Sequence, residues 1–412
     1  MRLLVWNIQF FTMRRISDAS GRTADEQTYN QQRTTANLNY IVSTVQQADA
    51  DVFVVIEVLT SSGRVMTLAD GRGPIGLIEL WRQLRIKTGQ PWWLVPPLRL
   101  NPRDELATRT YTETMGVFWR GDRVNFTGPY VWPALPNGDP SPTGPPIAPN
   151  TGTAATAYPR PWSFLLPTGY NAAAQCQFFE GGHEVLFNND AARRPFITDW
   201  VEASNRRVRL VSLHMPPNAS EAASALTKVA RVSGGPPPQG WGIVLVGDFN
   251  MNLIRSSAFV ASAWDHVNLD VQQGEPMWAR VDPGEPYPPS MFKRTATATP
   301  PDYEKQELLD YGVVRYGTGA RPQDGPGAIV VDRVAGRDAA TRWPAFGDDM
   351  GVRLTTFLDA MDEDERDRDF RKLPNYGHIG PPTRGNAERD PDPDDIILPG
   401  GTSDHLPAFL IV

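Results

Sequence analysis

Short runs of Val, Ile, Leu and Phe recur along the chain, and most of them stop at a polar residue. Leu3–Val5, Val52–Ile56, Val117–Trp119, Val208–Leu213, Ile243–Val246 and Leu406–Val412 read as buried strands. Their apolarity is continuous rather than alternating, which predicts strands covered on at least one face by helices or a second sheet. Two stretches carry helical spacing instead. Over about 25–47, Leu38, Ile41, Val42 and Val45 share a face. Over about 220–232, Ala223, Leu226, Val229 and Ala230 do so, with Ser220 as candidate cap.

Three stretches read as long loops or insertions: 135–167 and 272–301, both rich in proline, and 316–401, which contains the charge run Asp362–Asp369. That run reads as a solvated helix face. No internal repeat or inter-domain linker stands out. A single domain over 1–412, with about 316–401 inserted before the last strand, is the simplest organisation. The insertion is a candidate surface for a protein partner.

The polar residues that close the apolar runs carry the chemistry. Asn7 follows Leu3–Trp6, Glu57 follows Phe53–Ile56, and His214 follows Leu210–Leu213. Asp248 and Asn250 follow Ile243–Gly247, Asp310 follows Leu308-Leu309, and Asp404-His405 follows Gly401–Ser403. A buried polar group without a partner costs a few kcal/mol, and an ionised one more. Six strand ends with this habit therefore predict mutual satisfaction, or a shared ligand, at one rim of the sheets. Glu57, Asp404, Asp248 and Asn7 offer hard oxygen ligands, which suit Mg²⁺ first, with Mn²⁺ or Ca²⁺ as alternatives, rather than zinc. His214 and His405 suit proton transfer near neutral pH. Carboxylates, amides and imidazoles around a hard cation make a site for phosphoester chemistry.

Composition narrows the setting. The 412 residues carry a formal charge of −7, so contact with nucleic acid needs a local basic patch. Cys176 is the single cysteine, which excludes an intrachain disulfide and a Cys-rich zinc site. The start MRLLVWNIQFF lacks the parts of a secretory signal, and no apolar run approaches the roughly 18 residues of a membrane helix. A cytoplasmic protein is the expectation, with signal-less export left open.

The ordered strings WNIQ, VVIEV, SLHMPP, VGDFNMN, LLDYG and GTSDHLP resemble the signature of the endonuclease/exonuclease/phosphatase superfamily, and they span nearly the whole chain. The segments Tyr111-Thr112-Glu113 and Asn189–Phe196, together with His214-x-x-Pro217, are most similar to deoxyribonuclease I-like nucleases. The resemblance implies a four-layer αββα sandwich, with two mixed, largely antiparallel sheets packed face to face and helices outside. It implies a metal held by Glu57, with Asn7 and Asp404 completing or supporting it. His405 oriented by Asp310, and His214 oriented by Glu113, would be general base and general acid in one order or the other. Asp248 and Asn250 would hold the attacking water or the phosphate, and Arg193, with Arg194 beside it, would contact a substrate phosphate.

The expectation is a Mg²⁺-dependent endonuclease that hydrolyses DNA by single-step attack of activated water. A phospholipid or inositol-phosphate phosphoesterase of sphingomyelinase type shares the motifs. A catalytically silent scaffold with the same fold is the reading from another class.

Overall fold

The computed structural model describes residues 1–60, 72–95, 97, 112–130, 133–134, 155–157, 177–179, 183–184, 195–232, 237, 239–252, 279–281, 291–294, 303–307, 309–320, 327–330, 403, 405 and 407–412. The chain runs through β1 (Arg2–Phe11), α1 (Met13–Ile16), α2 (Ala24–Ala48), β2 (Val52–Thr60), α3 (Arg72–Thr88), β3 (Trp92–Val95), β4 (Thr112–Arg120) and β5 (Val124–Tyr130). It continues with β6 (Phe196–Glu202), β7 (Arg207–His214), α4 (Ala219–Val232), β8 (Trp241–Asp248), β9 (Ala279–Val281), β10 (Asp310–Tyr316), β11 (Gly327–Val330) and β12 (Ala408–Ile411). Three short two-stranded ribbons lie outside the main sheets.

Two six-stranded sheets result, ordered β11-β12-β1-β2-β4-β3 and β9-β10-β8-β7-β6-β5. Each contains one parallel pair, β1 with β2 and β7 with β8, and every other pairing is antiparallel. A parallel pair needs a crossover, and helices supply it: α1 and α2 join β1 to β2, and α4 joins β7 to β8. The two mixed sheets with helices confirm the expected α/β sandwich.

Aromatic side chains mark where the sheets meet. Trp119 of β4 lies 5.8 Å from Trp200 of β6 and 5.4 Å from Phe126 of β5, centroid to centroid. On the outer face of the first sheet, Trp6 meets Tyr40 of α2 edge-on at 5.6 Å. Removing these rings from water is worth roughly 2–3 kcal/mol each before entropy is counted. Among the described residues no helix is long and apolar enough to cross a membrane.

The strands predicted from apolar runs all occur, mostly longer than the runs, although the last begins at Ala408 rather than Leu406. Both predicted helices occur at nearly the predicted bounds. Three readings change. The cap of α4 is Asn218 rather than Ser220: the Ser220 backbone N–H donates to Asn218 Oδ1 at 2.9 Å. Helix α3 carried no prediction. Asp310 opens β10 instead of closing a strand, and because β10 runs antiparallel to β8 it still reaches the same rim. Of the 316–401 stretch, only 316–320 and 327–330 lie within the described residues, and Cys176, His266, His378 and the Asp362–Asp369 run lie outside them.

Candidate active site

Three neighbouring strands of the second sheet place three ionisable groups in one row. His214 ends β7, Asp248 ends β8 and Asp310 begins β10, and the register pairs His214 with Asp248 and Asp248 with Asp310. Cross-strand partners share a face, so the three side chains project together. Gly247 lets β7 and β8 close up at this point. Its φ is +144°, and a Cβ there would stand 2.0 Å from the Leu213 carbonyl oxygen.

The first sheet contributes from across the sandwich. Asn7 of β1 donates from Nδ2 to Asp248 Oδ2 at 2.9 Å, joining the two sheets directly. Glu57 sits in an irregularity of β2, with φ +64°, where the β1–β2 and β2–β4 registers both shift. A non-glycine residue in that region stores strain of order 1–3 kcal/mol, of the kind found at functional sites. Glu57, Glu113 and His214 bring donor atoms within 4.8 Å of one another, and Asp248, Asp310 and His405 do the same.

Two histidine–carboxylate pairs result. His214 Nδ1 lies 3.0 Å from Glu113 Oε2, and His405 Nδ1 lies 2.7 Å from Asp310 Oδ2. Both pairs are buried. An ionised carboxylate only accepts, so a ring paired with one donates from Nδ1 and would exchange protons through Nε2. His214 Nε2 stands 3.7 Å from Asp248 Oδ2. Asp248 is fixed in turn: its Oδ1 accepts from the Asn250 backbone N–H at 2.9 Å, while Asn250 Nδ2 donates to the Met215 carbonyl at 2.8 Å.

The donors fit a hard cation. Asn7 spends its amide N–H on Asp248, and its Oδ1 is buried with no hydrogen-bond partner among the described residues. Such an oxygen wants a water or an ion. Amide and carboxylate oxygens match the preferences of Mg²⁺, Mn²⁺ or Ca²⁺.

Of the residues singled out in the sequence, Asn7, Glu57, Glu113, His214, Asp248, Asn250, Asp310 and His405 are drawn together. Asp404, Arg193 and Arg194 lie outside the described residues. Near the rim, the Arg15 guanidinium donates to the Gln9 carbonyl. Arg14 is exposed.

Sequence reading missed the residues that hold the pairs in place. Ser403 Oγ donates to the Asn7 carbonyl at 2.6 Å and accepts the His405 N–H at 3.1 Å, tying His405 to β1. Trp6 Nε1 donates to the His405 carbonyl at 2.8 Å. Tyr311 stacks on Phe249 at 4.2 Å and donates from its hydroxyl to the Met251 carbonyl at 3.1 Å, bracing the Asp248–Asn250 turn. Ser403, Trp6 and Tyr311 all stood inside the motifs, but each side chain works on a backbone group or a ring that only the fold brings near.

Among curated proteins no sequence match was found. Solved structures similar to this one include an endonuclease/exonuclease/phosphatase family protein from Leptotrichia buccalis, 13% identical with a TM-score of 0.42, covering 77% of this chain and 88% of that one. A mannosyl-6-phosphatase from Bacteroides thetaiotaomicron is 10% identical with a TM-score of 0.43, covering 100% and 98%. D. rerio TDP2, complexed with a single-strand DNA product, is 10% identical with a TM-score of 0.41, covering 100% and 97%. The substrates of the last two are those proteins' own. The model of the Endonuclease/Exonuclease/phosphatase family matches residues 4–405, so the chain belongs to that family, whose members are metal-dependent hydrolases of phosphoester bonds.

Proposed function

We propose that this protein is a Mg²⁺-dependent phosphodiesterase that cuts DNA in one step, by attack of water on phosphorus. The observation that carries the reading is the pair of buried histidine–carboxylate couples meeting at Asp248. One fixed imidazole takes a proton from the attacking water. The other gives a proton to the leaving oxygen as the P–O bond breaks. Each transfer is worth about 10²–10⁴ in rate. In this reading no covalent bond to the protein forms: the imidazoles move protons and water is the nucleophile.

Asp248 and Asn250 orient the attacking water or the scissile phosphate, because both are held rigidly by the β7–β8 rim. Glu57 and Asn7 would hold the cation, with Asp404 beside His405 as a further ligand. Bound there, such an ion neutralises charge that develops on the phosphate. Arg193 and Arg194 are proposed to meet a substrate phosphate.

The test is a substrate panel with the purified protein and Mg²⁺, Mn²⁺ or Ca²⁺: supercoiled plasmid, single-stranded DNA, RNA, sphingomyelin and sugar phosphates. Nicking of plasmid that EDTA abolishes is expected. Release of phosphate or phosphocholine without any strand cutting would move the substrate to small esters or lipids. No hydrolysis of any member, with a folded protein, would leave the silent scaffold.

A further inference from the structure

The irregularity at Glu57 also reshapes strand β1 on the other side of the pair. Asn7 pairs with Ile56 and Phe11 with Val58, so Ile8, Gln9 and Phe10 together face the single residue Glu57. Ile8 turns inward and is fully buried, whereas Phe10 is 45% exposed. Among the described residues Phe10 is the one large aromatic side chain in the exposed class. Its φ is +50°, a region that bulky residues rarely occupy.

Both features are unfavourable on their own, and the surroundings enforce them. The Gln9 N–H donates to Ser403 Oγ at 3.4 Å, and the Gln9 carbonyl accepts from Arg15. The Arg15 carbonyl accepts in turn from Asn37 Nδ2 of α2 at 3.3 Å. Below this turn α3 packs so closely that a Cβ on Gly76 would stand 2.7 Å from the Met13 backbone nitrogen. The hydrogen bonds that seat His405 and Asn7 therefore also fix the backbone that presents Phe10. Strain held in place beside reactive groups marks a functional position.

We propose that Phe10 is a specificity residue: its ring is a stacking platform for a nucleobase of the strand whose phosphate lies at Glu57 and Asp248. This rests on the phosphodiesterase reading above. An exposed aromatic side chain in the segment facing Glu57 matches a nucleotide, which joins a π-face to a phosphate. Exposed Arg14, four residues on in α1, adds a positive charge to the segment that follows. A phosphocholine head has no ring to lay against Phe10, and a sugar phosphate offers a puckered, hydroxylated ring rather than an aromatic face.

The experiment compares binding of fluorescent phosphorothioate octathymidylate with that of an abasic phosphorothioate octamer of equal charge, by anisotropy, with Mg²⁺ present and the sulfur slowing cutting. Wild type is expected to prefer thymidylate about tenfold. Phe10→Leu keeps apolar volume and loses the ring, so its preference falls to near unity while abasic binding stays the same. Phe10→Trp retains the preference. No preference in wild type, an undiminished preference in Phe10→Leu, or equal weakening toward both strands would overturn the proposal. Plasmid nicking by the same preparation is scored separately. Nicking without base preference removes the role of Phe10 alone, whereas base preference without cutting under any divalent ion removes the phosphodiesterase reading alone.

Discussion

At the scale of single residues, the proposed mechanism puts reactivity on the imidazoles and orientation on their carboxylates. His214→Ala and His405→Ala should each lower the hydrolysis rate by about 10²–10⁴ while circular dichroism is unchanged. Glu113→Gln and Asp310→Asn leave each ring present but less firmly oriented, so smaller losses of roughly 10–100-fold are expected. A full-rate His214→Ala enzyme would remove that pair from the chemistry. Glu57→Gln should shift the metal titration to higher concentration, and an unshifted curve would deny it a ligand role. Glu57 and His214 were legible in the sequence because an ionisable group directly after an apolar run has few places to go, whereas Glu113 came from the family resemblance. Ser403 and Tyr311 were not, because each works through backbone carbonyls or N–H groups that only the fold brings near.

At the scale of elements, the β7–β8 junction is the critical one. Gly247→Ala adds a Cβ against the Leu213 carbonyl at a φ that only glycine adopts readily, and it should destabilise the protein by roughly 2–4 kcal/mol. Denaturant melts would show this, and an undisturbed midpoint would mean the junction relaxes freely. Asn218→Ala removes the cap of α4 and should cost about 1 kcal/mol. Helix α3 escaped sequence reading for a physical reason. Its opening Arg72-Gly73-Pro74-Ile75-Gly76 looks like a turn, yet Gly73 and Gly76 are there because the neighbouring backbone passes too close for a side chain. Asp310 was read as following a strand rather than starting one because sequence alone does not show that β10 runs against β8.

At the scale of the molecule, each sheet holds one helix-crossed parallel pair, and the reactive groups gather where the ends of those pairs face each other. Distant ion pairs hold the frame that keeps them there. Burial would push Glu202 up, but hydrogen bonds from Arg206 and the Met1 amino group overcome it and hold its carboxyl at about 2. A depressed carboxylate stabilises the fold above the unfolded value of 4.5 and loses that contribution as pH falls toward 2. Wild type should therefore lose melting temperature steeply between pH 4.5 and 2, and Glu202→Gln should start lower at pH 7 and fall less over that range. Parallel curves for the two proteins would assign the acid sensitivity elsewhere.

The central claim is that remote parts of the chain build one cation site between the two sheets. Anomalous diffraction from a crystal soaked in Mn²⁺ locates that site most directly. The account predicts a peak bonded to the Glu57 carboxylate, beside Asn7 and next to the two histidine pairs. A peak elsewhere, with none at Glu57, would contradict it.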